Sequence, residues 1–253
     1  MTSPCSCKVV LFDLDGTLFD HHHSLACAIS AVRDGWPGLS TYSLDHLVDR
    51  YNAALQEAYD MYLRKEIAYE DTNALKVKLF FTLLGLTKPS QDEIIQFRAL
   101  YKPAYRSSRR GTPGAVETLI RLRELGYRLA IVTNGQIDDQ NDKAQDIGVH
   151  HLVDRIVTSE EAGRPKPDPS IFQLALEGFG TLPDEAFIVG DSVESDIRGG
   201  LDAGLKTILY TPSAQDSQRL LFGVQVPVIR HMSELLGYVD VAETHTTAPS
   251  VLA

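Results

Sequence analysis

Four short segments hold residues that together can do chemistry: Asp13-Leu14-Asp15-Gly16-Thr17, Thr133-Asn134, Lys166, and Gly190-Asp191-Ser192 with Asp196 close behind. Between them they supply a nucleophilic carboxylate, a second carboxylate, a hydroxyl donor, a cation and an acid suited to a metal ion. Phosphoryl transfer asks a protein chiefly for positioning and charge stabilisation. This set suits transfer through an aspartyl-phosphate.

Asp13 and Asp15 are two residues apart, a spacing that can put both side chains on one side of the chain. Two carboxylates so near do not both stay ionised without a cation. Mg²⁺ is a hard ion that takes carboxylate and phosphate oxygens, and it is the expected cofactor. Gly16 permits a tight turn and a close approach of backbone to phosphate. Thr133 offers a hydroxyl to a phosphoryl oxygen, and the backbone N–H groups beyond it, at Asn134 and Gly135, offer more. Lys166 lies in Arg164-Pro165-Lys166-Pro167-Asp168-Pro169, where three prolines stiffen the loop that carries the ammonium. Asp191 is the expected third metal ligand. Asp196 reaches the metal through water or holds Lys166, with Glu194 and Ser195 as alternatives. Taken singly, each has a plain structural reading: a polar strand end, a solvated loop lysine, or an acid favoured at a helix N-terminus. Only their convergence makes them a site.

The elements around these segments make that convergence physical. Lys8 to Phe12, Arg128 to Thr133, Arg155 to Thr158 and Ala186 to Val189 are short apolar runs that read as strands buried on both faces. Thr207 to Tyr210 and Val226 to Ile229 are weaker candidates, the second demoted by Pro227. Helices are predicted from Thr112-Pro113 to Gly126, over Asp139 to Ile147, over Pro169 to Phe179 and over Ser195 to Ala203. Strand and helix alternate at a spacing that implies a mostly parallel α/β sheet. In such a sheet ligands bind beyond the carboxyl ends of the strands, which is where all four segments fall.

The alternation breaks between Asp20 and Ser108. There Leu44, Leu47, Val48, Tyr51, Leu55 and Tyr59 recur at helical spacing, and Ser90-Gln91-Asp92-Glu93 is a capping-box pattern opening a helix towards Lys102. The expected organisation is a core of residues 1–19 and 109–239, an inserted helical module over 20–108, and a disordered tail over 240–253. His21-His22-His23 reads as a linker.

The chain has 253 residues, 43% hydrophobic, with a formal net charge of -10. Such a charge disfavours a nucleic-acid polymer, whose binding rests on Lys and Arg. A small phosphorylated substrate stays open, since a metal and one lysine can set the local field. Three scattered cysteines, Cys5, Cys7 and Cys27, give no disulfide framework and no zinc-like pattern. Neither a membrane span nor a secretory signal is legible, so a soluble cytoplasmic setting is expected, as monomer or homodimer.

These motifs resemble those of the haloacid dehalogenase superfamily of aspartate-nucleophile hydrolases, at Asp13/Asp15, Thr133, Lys166 and Asp191/Asp196, over a span from Lys8 to Tyr210. The insertion resembles the family's helical cap of the first class. The resemblance implies a Rossmann-like core and an aspartyl-phosphate on Asp13. It implies Asp15 as the acid that protonates the leaving alcohol and then activates water. Mg²⁺ would be held by Asp13, the Asp15 backbone carbonyl and Asp191. Relatives that dehalogenate lack the second acid, and phosphonate hydrolysis would need a lid lysine that nothing marks among Lys65, Lys76 and Lys78. Val132-Thr133-Asn134-Gly135-Gln136 and Lys166-Pro167-Asp168-Pro169 are similar to a branch with N-acylneuraminate-9-phosphatase and pyrimidine 5′-nucleotidases. The implied activity is a phosphatase acting on a small phosphorylated metabolite. A sugar phosphomutase and a non-catalytic regulator are the rivals. His23, Tyr51, Tyr59 and Arg106 are candidate lid contacts to substrate.

Overall fold

The computed structural model describes residues 9–244. Its strands are β1 (Val9–Phe12), β2 (Arg128–Thr133), β3 (Arg155–Thr158), β4 (Ala186–Gly190), β5 (Lys206–Tyr210), β6 (Gln218–Leu221) and β7 (Val224–Ile229). Its helices are α1 (His21–Gly35), α2 (Leu44–Leu63), α3 (Tyr69–Leu83), α4 (Gln91–Ser107), α5 (Ala115–Glu124), α6 (Ile137–Asp146), α7 (Ser159–Ala162), α8 (Pro169–Leu176), α9 (Gly199–Asp202) and α10 (Leu235–Thr244). The strands form one seven-stranded sheet in the order β3-β2-β1-β4-β5-β7-β6. Every pairing is parallel except β6 with β7. This is a Rossmann-like core. Among the described residues no helix is long and apolar enough to cross a membrane.

β1 is Val-Val-Leu-Phe, buried throughout, as expected for a central parallel strand covered on both faces. Val9 and Leu11 join Ala130, Val132, Val157 and Ile188 against Ile171 and Phe172 of α8. Each such side chain, once fully buried, contributes about 1.5–3 kcal/mol, so this layer fixes the strand order. Phe12 is in register with Ile131 and with Val189. Asp13, Thr133 and Asp191 therefore emerge at one edge of the sheet, from three adjacent strands.

The chain divides into two compact units, one of residues up to Asp20 and from Arg110 onward, the other of His21–Arg109. The second is all-helical. In it α1 packs on α2 and α4, and α2 packs on α3. Leu25, Ile29, Leu47, Tyr51, Phe80 and Phe97 form its core, with the Tyr51 and Phe97 rings stacked at 5.6 Å. Ser90 and Glu93 form the capping box that opens α4. That helix runs towards Lys102, as expected, and continues through Pro103 to Ser107.

Several boundaries differ from the sequence reading. The His21–His23 run is the first turn of α1, not a linker. Thr112 does not cap α5, which begins at Ala115 after a left-handed Gly114 (φ 77). The Thr112 hydroxyl instead donates to the Thr17 carbonyl at 2.6 Å. The predicted Ser195–Ala203 helix is a π-helix, Val193–Arg198, followed by the short α9. Pro227 lies inside β7, an interior strand, because the residue after it supplies the N–H that donates to Ser217. α10 runs to Thr244, past the expected start of the tail. Residues 245–253, Lys8, Cys5 and Cys7 lie outside the described residues.

Candidate active site

The loop after β1 is held by its own backbone. Gly16 N–H donates to Phe19 O at 2.9 Å, and the N–H groups of Leu18 and Phe19 both reach Leu14 O. Gly16 has φ 95, and a Cβ there would collide with the Asp191 carboxylate. Glycine at this position thus serves the loop conformation and the close approach of the acid on the neighbouring strand.

Asp13 leaves β1 with its N–H bonded to Val189 O at 2.9 Å and its side chain buried. Lys166 meets it there. The Lys166 ammonium donates to Asp13 Oδ1 at 2.6 Å, to Asp196 Oδ1 at 2.6 Å and to Val132 O at 2.7 Å. It is 2% exposed. Burial alone would lower its pKa, but Asp13 and Asp196 outweigh that and raise it, so the group is an ammonium. Asn134 braces the loop behind it. The Asn134 carboxamide donates to Lys166 O at 3.1 Å and accepts from Lys166 N–H at 2.7 Å. Asn134, expected at the substrate, is thus committed to placing the lysine. The Lys166–Pro167 peptide is cis.

Both oxygens of Asp196 are engaged by the protein. Its Oδ1 takes Lys166 and its Oδ2 takes the Ser192 N–H at 3.0 Å. Of the two roles offered for it, holding Lys166 is the one its contacts describe. Gly190 makes room for it, since a Cβ there would overlap the Asp196 side chain. Asp191 is exposed by accessible area, yet enough protein surrounds it that desolvation, then Asp196, pushes its carboxyl up to about 7. Asp13 is also raised, first by burial and then by its acidic neighbours, against the opposing pull of Lys166. Thr17 Oγ1 stands 3.4 Å from Asp191 Oδ1.

Asp15 rests its carboxylate in a seat made by α6. Lys143 Nζ donates to both Asp15 oxygens at 2.9 Å, and Gln140 Nε2 donates to Oδ2 at 3.1 Å. Lys143 also pairs with Asp139 at 3.1 Å. Its burial would lower its pKa, but Asp15 and Asp139 raise it overall. Gln140 Oε1 accepts from the Thr133 hydroxyl at 3.3 Å. Gly135 N–H donates to Ser159 Oγ at 2.9 Å rather than standing open for a phosphoryl oxygen. Lys143 and Gln140 escape the sequence reading. The one available signal is that the turn of α6 facing inward is polar: its buried residues are Gln140, Lys143 and Ala144.

The lid candidates belong to the helical unit. His23 Nε2 lies 3.7 Å from Cys27 Sγ, one turn along α1. Arg106 is exposed in the last turn of α4. Tyr51, 1% exposed, is a core residue of that unit and not a substrate contact. Tyr59 packs its ring on Tyr62 at 5.7 Å.

A model of the haloacid dehalogenase-like hydrolase family matches residues 7–204. The chain belongs to that family. It is 43% identical over 216 residues to the glyceraldehyde 3-phosphate phosphatase of Methanopyrus kandleri, covering 79% of this chain and 82% of that one. It is 31% identical over 210 residues to the ribulose-1,5-bisphosphate 5-phosphatase of Halopiger xanaduensis, covering 81% and 85%. The HAD-hydrolase YfnB of Bacillus subtilis, solved bound to magnesium, superposes with TM-score 0.74 at 21% identity over 92% of this chain and 99% of that one. That likeness shows the fold.

The donor set fits the divalent cation such hydrolases use. Asp13, Asp191 and Asp196 each bring a carboxylate oxygen within 4.8 Å of the others. Three carboxylates face one ammonium, and two of the acids are driven up in pKa. A divalent cation with hard oxygen preference would relieve that imbalance.

Proposed function

We propose that this phosphoric monoester hydrolase is Mg²⁺-dependent and works through an aspartyl-phosphate on Asp13. The observation that carries the reading is the buried Lys166 ammonium bridging Asp13 and Asp196 at 2.6 Å each, with Asp191 in ligand reach. Asp13 attacks phosphorus, and the bond to the leaving oxygen breaks as that oxygen takes a proton from Asp15. Asp15 then removes a proton from water, whose oxygen attacks the phosphorus of the acyl phosphate. Phosphate leaves and Asp13 is regenerated. Lys166 fixes one oxygen of Asp13 and offsets charge on the transferred group, and Thr133 borders that group. Asp13, Asp191 and the Asp15 backbone carbonyl would hold Mg²⁺, which when bound neutralises charge developing on the phosphoryl oxygens.

The substrate class we assign is a small sugar phosphate. The named relatives act on glyceraldehyde 3-phosphate and ribulose 1,5-bisphosphate, which supports that assignment. The test is phosphate release, with Mg²⁺, across a panel of small phosphomonoesters that includes glyceraldehyde 3-phosphate. Release that is lost in EDTA and in Asp13→Asn is the expected result. Isomerisation of a sugar phosphate without phosphate release would turn the reading to a mutase. Silence across the whole panel would end it.

A further inference from the structure

α6 follows β2 and buries the wrong kind of residue for a helix held only by packing. An amphipathic surface helix turns an apolar stripe to the core, but the inward positions of α6 include Gln140 at 2% exposure and Lys143 at 6%. Their polar atoms converge on one carboxylate. Lys143 spends two of its contacts on Asp15 and a third on Asp139. Gln140 is oriented from behind, because its oxygen accepts from Thr133, so its nitrogen faces Asp15. Gly135 completes the seat by absence: a Cβ there would strike the Gln140 carboxamide. The loop that carries Asp15 is fixed by backbone bonds around Gly16. The torsions left to the Asp15 side chain are the ones that Lys143 and Gln140 restrain.

We propose that Lys143 and Gln140 are positioning residues for Asp15: they hold its carboxyl group in place to give its proton to the leaving oxygen, and then hold the resulting carboxylate to take a proton from the attacking water. The proposal rests on the reading of Asp13 as nucleophile and Asp15 as acid and base. It separates two parts of the same machinery. Attack by Asp13 depends on Lys166 and its partners on β2 and the π-helix. Proton delivery depends on α6. A plain tether between α6 and the loop would make no such distinction.

Leaving-group chemistry tells the two apart. An alkyl alcohol must be protonated as it departs, whereas p-nitrophenolate leaves with little help. The experiment is single-turnover hydrolysis, with full-length enzyme in excess and Mg²⁺ present, of p-nitrophenyl phosphate and of an alkyl phosphate that the wild type hydrolyses. Wild type, Lys143→Met, Lys143→Arg, Gln140→Met and Asp13→Asn are compared. General acid–base catalysis contributes about 10²–10⁴-fold, so Lys143→Met and Gln140→Met are expected to slow alkyl release by about 30-fold or more, and nitrophenolate release by less than about threefold. Breakdown of the phosphoenzyme should slow with either substrate. Lys143→Arg should restore most of the alkyl rate. Equal slowing on both substrates, or no slowing on either, overturns the proposal while Asp13→Asn remains dead. If Asp13→Asn keeps its activity, the nucleophile assignment itself falls and this inference goes with it. Should Lys143→Met fail to fold, Gln140→Met, which leaves the charges in place, carries the same expectation.

Discussion

Lys166 decides the electrostatics of the edge where β1, β2 and β4 end. Its three short contacts satisfy an ammonium completely, and Val132 O shows that the strand itself supplies one of them. Removing one partner of a buried ion pair leaves the other uncompensated and costs about 3–5 kcal/mol. We therefore expect Lys166→Met to lose stability on that scale in EDTA, measured by urea unfolding, and to regain part of it with Mg²⁺. Asp13→Asn should abolish turnover while keeping the fold, read by phosphate release and circular dichroism together. Asp191 gives a pH signature. Its folded pKa is raised to about 7, so the folded metal-free protein holds a proton that the unfolded chain releases near its ordinary value of 3.8. The stabilisation is full below that ordinary value and is lost as pH rises through about 7. Thermal melts in EDTA should show this loss, and Asp191→Asn should flatten it. An unchanged slope in that variant would exclude Asp191 as its source. At this scale the sequence is legible where spacing alone does the work, as in Asp13-x-Asp15 and Gly190-Asp191. Lys143 and Gln140 are not, because their meaning depends on which face α6 turns inward, and nothing along the chain announces that Asp15 waits there.

Elements fix these residues through their ends more than through their middles. α8 begins at Pro169 with Asp168 as its cap, whose carboxylate accepts from Ser170 N–H at 3.0 Å and from the Ser170 hydroxyl at 2.6 Å. These bonds, with Arg164, hold the Asp168 carboxyl down to about 2. A lowered carboxyl stabilises above its ordinary range and loses that contribution as pH falls through about 2. Asp168→Ala should cost about 1 kcal/mol at neutral pH, with a smaller difference from wild type near pH 2, measured by denaturant unfolding. Gly199 is a second element-level control, since a Cβ there would stand 2.8 Å from Pro167 Cα. Gly199→Ala should push the Lys166 loop and lower turnover without changing a charged or catalytic group. β1, β2 and β4 were readable because each is a largely buried apolar run, whereas β6, Gln-Arg-Leu-Leu and part exposed along its length, was not. The start of α5 was not, since the Thr112 hydroxyl is taken by a carbonyl of the β1 loop, a long-range partner that outcompetes a local cap. The π-helix likewise follows from tertiary demands on Asp196 and Ile197, both buried, and helical periodicity does not distinguish it from an ordinary turn.

For the molecule as a whole, the proposed Mg²⁺ site would link metal binding to stability. A ligand that binds only the folded state adds about 2.7 kcal/mol at a hundred times its Kd. Mg²⁺ should thus raise the melting temperature of the wild type and do so far less for Asp191→Asn. Equal shifts in both would show that the ion binds elsewhere. Along the chain apolar alternation stops after β1 and helical spacing takes over, and the compact helical unit His21–Arg109 falls in that stretch. The exact seams were less legible, since they lie in residues that pair across the sequence. Asp20 N–H donates to Arg110 O at 3.0 Å, the Arg110 guanidinium holds Asp20 Oδ2 at 2.8 Å, and Phe19 bridges to Gly111. The sheet-bearing unit thereby clasps the outgoing and returning chain at a single doorway. Eighty-odd residues of intervening chain can be exchanged there for a different cassette, or for a few glycines, at a loop-closure cost that changes by only about 0.6 kcal/mol per doubling of length. The strand order that gathers the acids is complete on the sheet-bearing side of that doorway.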